Sequence, residues 1–215
     1  MYDKEYAETW IKHSESEKSY YRKKYLYPYM ERVLRNIKPK AKVVDIGCGW
    51  GAALDYLDKS YEYLGVDPTK EFFPYIKNKY GGRKIALKDG SLPGDIPAES
   101  EFYDLVLCSL ALHCVPDLAG SINAIFDRAK KGAKVVIIDF RDDAEPIIRR
   151  EHFIRIDEDR GSYLRGLYFL SDETKLIVEI YLHKENQIEE LLKEYSNFKK
   201  EYLGPTFVAY ECTKN

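Results

Sequence analysis

The sequence predicts an α/β fold: a doubly wound, mostly parallel sheet of seven strands, with helices on its faces and further helices at the N-terminus. Three observations carry this. Between residues 42 and 139, short runs that are apolar almost throughout alternate with segments of helical pattern, and strands apolar on both sides must be covered on both. A glycine-rich turn, Gly47-Cys48-Gly49-Trp50-Gly51, joins the first such run directly to a helical segment. Acids, Asp67 and Asp89, close the second and third runs, where open α/β sheets bind their ligands.

Each element has its own warrant. Residues 4–37 are helical in composition, with Tyr25, Tyr29, Val33 and Ile37 forming an apolar stripe. Pro28 breaks this pattern and suits the first turn of a new helix, so two helices in series are expected. The first strand is expected over 43–46, then the glycine turn and a helix to about residue 58. The second strand spans 61–66. A helix over 69–80 is closed by Gly81-Gly82. Strands over 84–88 and 104–109 follow. A helix over 117–131 carries basic residues in its last turn, with Gly132 after it. The fifth strand covers 133–139. Residues 141–174 are irregular and too long for a plain connection, which predicts an insertion with local structure of its own. A long strand over 175–183, a short helix over 186–194 and a last strand over 206–213 complete the chain. One domain is expected: a helical cap over 1–40, a ligand-binding core over 41–140, an insertion that caps the substrate over 141–174, and a terminal hairpin over 175–215.

Composition narrows the partners. The chain has 215 residues, 45% of them hydrophobic, enough to build a core. Lys and Arg number 34 against 36 Asp and Glu, a net charge of -2, so no global field favours nucleic acid or an anionic membrane. No apolar run has the length of a membrane span, and the charged start lacks the apolar core of a secretion signal. Cys48, Cys108, Cys114 and Cys212 form no C-x-x-C pair, which argues for reduced thiols in a cytoplasmic protein and against a metal framework.

The glycine turn is the strongest signal. Glycines allow a tight turn and let backbone N–H groups approach a ligand closely. Asp67, about twenty positions after Gly47, is placed to accept hydrogen bonds from the hydroxyls of a ribose. Asp89 ends the next strand and can reach the edge of an adenine in the same geometry.

Asp45-Ile46-Gly47-Cys48-Gly49-Trp50-Gly51, Gly65-Val66-Asp67, Asp89-Gly90-Ser91-Leu92-Pro93 and the run Tyr103 to Ser109 resemble, in order, the motifs of the Rossmann-like (class I) S-adenosylmethionine-dependent methyltransferases. The resemblance covers about residues 40–140. It implies S-adenosylmethionine as cofactor. Asp45 would hold the amino group of the methionine moiety, and Gly47, Cys48 and Gly49 would border that moiety. Asp67 would hold the ribose and Asp89 with Gly90 would sit at the adenine; Pro68 and Ser109 complete the expected cofactor-binding set, and the methyl would point to a pocket beside the fourth strand. It also implies an antiparallel hairpin at the sheet edge, which the strands over 175–183 and 206–213 would supply. A nicotinamide enzyme also fits the loose G-x-G-x-x-G/A spacing, but no second domain offers a hydride acceptor.

A sulfonium methyl is already activated, so alignment of the nucleophile is the first requirement, and a base is needed only for a protonated acceptor. His113, beyond the fourth strand, is the candidate base or substrate-positioning group; the alternative is a histidine packed at a loop–helix junction. Asp139 reads as a strand-end acid capping a loop. The resemblance places substrate recognition in the N-terminal helices and after the fifth strand. Six arginines between 141 and 170 suggest an anionic substrate or, with their interleaved acids, an ion-paired surface. Tyr20-Tyr21-Arg22-Lys23-Lys24-Tyr25 suggests a packed amphipathic helix, a lid with Arg22 towards the methionine carboxylate, or an RNA-stacking face. The expected activity is methyl transfer to a small molecule. A non-catalytic cofactor-binding protein, and an RNA or protein methyltransferase, are the alternatives.

Overall fold

The structure, a computed structural model, describes residues 3–16, 19–144, 154–159, 163–169 and 175–215. Its main sheet has seven strands: β1 (Lys42–Ile46), β2 (Glu62–Val66), β3 (Ile85–Lys88), β4 (Tyr103–Ser109), β5 (Ala129–Phe140), β9 (Ser196–Leu203) and β10 (Phe207–Thr213). Their spatial order is β3-β2-β1-β4-β5-β10-β9. The first five run parallel, and β10 pairs antiparallel with both β5 and β9.

Strand alternation divides the interior into two layers. Leu105 and Leu107 face one side with Val43, Val136 and Ile138, under the apolar face of α2 (Tyr27–Leu34) and Ile76 of α3 (Phe73–Lys79). Val106 and Cys108 face the other with Val44, Val135 and Ile137, under Ile122, Ile125 and Phe126 of α4 (Leu118–Arg128) and Ile188 and Leu192 of α5 (Glu185–Leu192). Both sides of the central strands are therefore dry, and each fully buried Val, Leu or Ile contributes about 1.5–3 kcal/mol by leaving water. Helix starts are capped where the chain offers an acid: Asp3 accepts the Tyr6 N–H at the head of α1 (Lys4–Glu15), and Asp117 that of Gly120 in α4. Pro28 lies in the first turn of α2, which continues from a π-helical turn over Arg22–Leu26.

Three local expectations are corrected. The helix after the glycine turn is only a 3-10 turn, Ala52–Asp55, entered from Gly51 at φ 79°. Helix α4 stops at Arg128, and β5 starts at once with Gly132 inside it at φ 77°, beside a register shift against β4. The stretch expected to be an insertion with local structure of its own contains two strands, β6 (Ile154–Asp159) and β7 (Tyr163–Phe169). Most importantly, the strand near 175–183, β8 (Lys175–Tyr181), is not the hairpin partner of β10. It forms a separate antiparallel sheet, β6-β7-β8. The edge hairpin is β9–β10, turning at Gly204 (φ 65°). In the small sheet Leu164 and Ile180, with Leu182 just beyond it, pack with Ala144 against Tyr6, Trp10 and Phe140. No described helix is long and apolar enough to cross a membrane.

Candidate active site

The strand order reverses between β1 and β4, and such a reversal opens a crevice at the carboxyl ends of the strands. A cavity of ≈ 520 Å³ lies there, inside the range of about 300–1,000 Å³ typical of small-ligand sites. Asp45, the Gly47–Trp50 turn, Asp67, Pro68, Gly90 and Ser109 all line it. So do Tyr6 and Trp10 from α1, Arg22 from the π-helical turn, and Ile180 from β8. Two regions remote in sequence thus cover the crevice.

The glycine turn is tied to β2: the N–H groups of Gly47 and Cys48 both donate to the Val66 carbonyl, at 2.8 and 3.1 Å. Gly47 has φ 75°, and a Cβ on it would stand 2.4 Å from that of Ala111. Gly49 differs. It is also left-handed, at φ 51°, but a Cβ there would meet nothing within 4 Å. Backbone is bare to the cavity at this point, which suits close approach by a ligand.

Two carboxylates are buried in the same cavity. Asp67 is 7% exposed; its Oδ2 accepts the Gly49 N–H and its Oδ1 the Thr69 N–H, each at 2.8 Å. Burial raises its pKa, against the pull of those bonds. Asp45 is 3% exposed and accepts the Tyr63 hydroxyl at 2.7 Å. Burial, reinforced by the Asp67 charge and opposed by Tyr63, pushes its carboxyl from 3.8 up to about 7. Among the described residues neither acid is salt-bridged. A cavity holding two such acids favours a cationic, hydroxyl-bearing ligand, which is what a sulfonium nucleoside with an amino group offers. Because the folded chain holds the Asp45 proton more tightly than the unfolded chain, stability falls as pH rises from about 4 to about 7. Urea denaturation across that window should show the decline, and Asp45→Asn should flatten it.

Asp89 is not brought to this cavity. It is half-exposed and pairs with Lys70 at 2.8 Å, while its neighbour Gly90 is buried and lines the wall. A Cβ on Gly90 would stand 2.3 Å from the Asp95 carbonyl oxygen, so the chain passes too tightly there for any side chain. Ser91 and Leu92 of the same motif also line the cavity, as does Phe72, which had not been singled out in the sequence.

At the other end stands His113, in a 3-10 turn over Leu112–Cys114. Its Nδ1 lies 2.7 Å from Oδ1 of Asp139, which is 2% exposed and also accepts the Phe140 N–H at 2.8 Å. Burial works against a charged ring, but the Cys114 sulfur and Asp139 outweigh it, and the imidazole pKa rises from 6.5 to about 10. Asp139, read from sequence as a loop cap, is thus the partner of His113. The two are 26 residues apart on neighbouring strand ends, and nothing in the local pattern signals the pair. Arg22 also faces inward, its guanidinium 5.4 Å from the Trp10 ring centroid and 5.5 Å from that of Trp50. Of the arginine segment, Arg141 pairs with Asp143 and Arg165 with Glu179. Arg149, Arg150, Arg160 and the side chain of Arg155 lie outside the described residues.

Comparison with known proteins agrees with this geometry. The family described as "Methyltransferase domain" matches residues 19–199. A SAM-dependent methyltransferase from Aquifex aeolicus superposes with TM-score 0.63 at 14% identity, covering 100% of both chains. The PH0226 protein from Pyrococcus horikoshii OT3 superposes with TM-score 0.69 at 16% identity, over 94% of each chain. Phosphoethanolamine N-methyltransferase 2 from Haemonchus contortus, in complex with S-adenosyl-L-methionine, gives TM-score 0.63 at 12% identity, over 88% of this chain and 52% of that one. No curated protein matches the sequence. The chain belongs to the methyltransferase domain family, and its seven-stranded sheet has the Rossmann-like form of the S-adenosylmethionine-dependent enzymes.

Proposed function

We propose that this methyltransferase takes its methyl group from S-adenosylmethionine and transfers it to a small molecule within the cavity. One observation carries the reading: a single cavity, walled by aromatic side chains, joins the glycine turn and its two buried acids to Ser109 and His113. Asp67 would accept the ribose hydroxyls with the lone pairs left by Gly49 and Thr69, and Asp45 would receive the amino group. The bare backbone of Gly47–Gly49 would border the methionine part, with Pro68, Phe72 and Gly90 towards the adenine. Bound there, the cofactor supplies an electrophilic methyl. The chain aligns the acceptor with it and keeps water out under Trp10, Arg22 and Ile180.

The small-molecule reading is supported over RNA by the direction of Arg22. It lines the cavity with its guanidinium beside two indoles. Calorimetric titration with S-adenosylmethionine and with its demethylated product tests the cofactor, and labelled-methyl transfer to small-molecule pools tests the acceptor. Absence of heat with both nucleosides would overturn the reading. Label entering only RNA or protein would overturn its acceptor half.

A further inference from the structure

Resting on that reading, we propose that the His113 end of the cavity is an oxyanion subsite, and that the acceptor is an aromatic molecule bound through an acidic hydroxyl as its phenolate. Three observations meet here. Asp139 is a buried carboxylate whose other hydrogen bond is from a neutral backbone N–H, so His113 is the group that compensates its charge. With Nδ1 committed to Asp139, the Cys114 side chain is the other hydrogen-bonding neighbour of the ring, and His113 lines the cavity. The surroundings are aromatic and apolar: the Phe140 ring meets His113 edge-on at 4.7 Å between centroids and lies 5.6 Å from Phe207. The site therefore presents one cationic N–H among ring faces, which complements a flat ring bearing one negative oxygen.

The other titratable groups nearby do not supply a competing charge at that point. Glu179 of β8, at the cavity wall, is engaged by the Tyr163 hydroxyl and Arg165. His183 lies against the same turn, with its Nε2 on the carbonyls of Leu112 and Val115. Cys114 and Asp139 both favour the charged ring. A protonated amine would be repelled there, whereas a phenolate is held and partly stripped of water.

The transfer then balances without proton movement. An oxygen lone pair forms the new O–CH3 bond as the S–CH3 bond breaks, and that bonding pair stays on sulfur. The phenolate negative charge and the sulfonium positive charge cancel, giving a neutral methyl ether and a thioether. His113 touches the substrate and keeps both its protons; Asp139 is a positioning residue.

The probe is 4-nitrophenol, whose phenolate is coloured and which titrates near neutrality, added to the full chain without cofactor. Below the free pKa of the probe, protein should increase the phenolate band. His113→Gln should weaken phenolate binding at least tenfold, and 4-nitroaniline should bind at least tenfold more weakly than the phenolate. Asp139→Asn should lower the pKa at which the His113 ring protons titrate by NMR, whereas lost burial alone would raise it. Should His113→Gln not fold, the His113 C2 proton of the unaltered protein serves, and it should shift on adding the phenolate. No growth of the phenolate band, equal binding by His113→Gln, equal binding of the aniline, or an unmoved C2 proton would overturn the proposal. Calorimetry with S-adenosylmethionine separates the two failures: cofactor heat without phenolate binding sinks the subsite alone, and phenolate binding without cofactor heat sinks the methyltransferase reading.

Discussion

Gly47→Ala is expected to lower both stability and cofactor affinity sharply. Two costs combine. At φ 75° an L-residue is left-handed, which costs roughly 1–2 kcal/mol. The new methyl would also lie 2.4 Å from the Cβ of Ala111, and overpacking of this kind costs about 1–3 kcal/mol when backbone must give. Neither contact is with a flexible side-chain end, so the loop or the chain after β4 must shift, and both line the cavity. Gly49→Ala is the control. It carries the left-handed strain, at φ 51°, but meets no atom within 4 Å. It should lose roughly 1–2 kcal/mol of stability, while its methyl projects from a residue of the cavity wall and reduces binding of S-adenosylmethionine. Urea midpoints and calorimetry on both variants check this. Equal midpoints for the two would show that the approach to Ala111 is not limiting.

Asp67→Ala should cost about 1.5–3 kcal/mol of nucleoside binding, the loss typical of hydrogen bonds to a charged group. That is on the order of 10- to 150-fold in Kd. The same carboxylate also accepts the N–H groups of Gly49 and Thr69, so its removal frees the glycine turn as well as the ribose contact. Asp67→Asn separates the two roles. Its amide oxygen can still accept one backbone N–H, so stability should recover more than affinity does. Calorimetry with S-adenosylmethionine is the measurement, and undiminished affinity in Asp67→Ala would remove this residue from the ribose role.

The parallel core was legible because its strands are buried on both faces: Val43-Val44, Leu105-Val106-Leu107-Cys108 and Val135 to Ile138 are apolar in both phases of the alternation. Strand β9 was not. As an edge strand it carries Lys199 and Glu201 exposed, while Lys200 between them pairs with Glu185 and Glu189 of α5, and charges of that kind hide a strand from any apolar pattern while protecting the sheet edge. For β8 the pattern showed a strand but not its partner, since pairing depends on where the rest of the chain arrives.

The site divides in the same way. Asp45, Gly47 and Gly49 follow one strand–turn path, and Asp67 joins them through the parallel pairing of β1 with β2 that the apolar runs already implied, so the sequence by itself determined that cluster. Only tertiary structure decided the rest. Asp89 turns outward to Lys70 although it ends a parallel strand, because the close pass of Gly90 against Asp95 sets the direction of the chain there. His113 meets Asp139 because β4 and β5 are neighbours in register, and Trp10 meets Arg22 and Trp50 because α1 crosses the crevice. Hydrophobic periodicity encodes which residues are buried, whereas contacts between remote segments are chosen by the packing of whole elements.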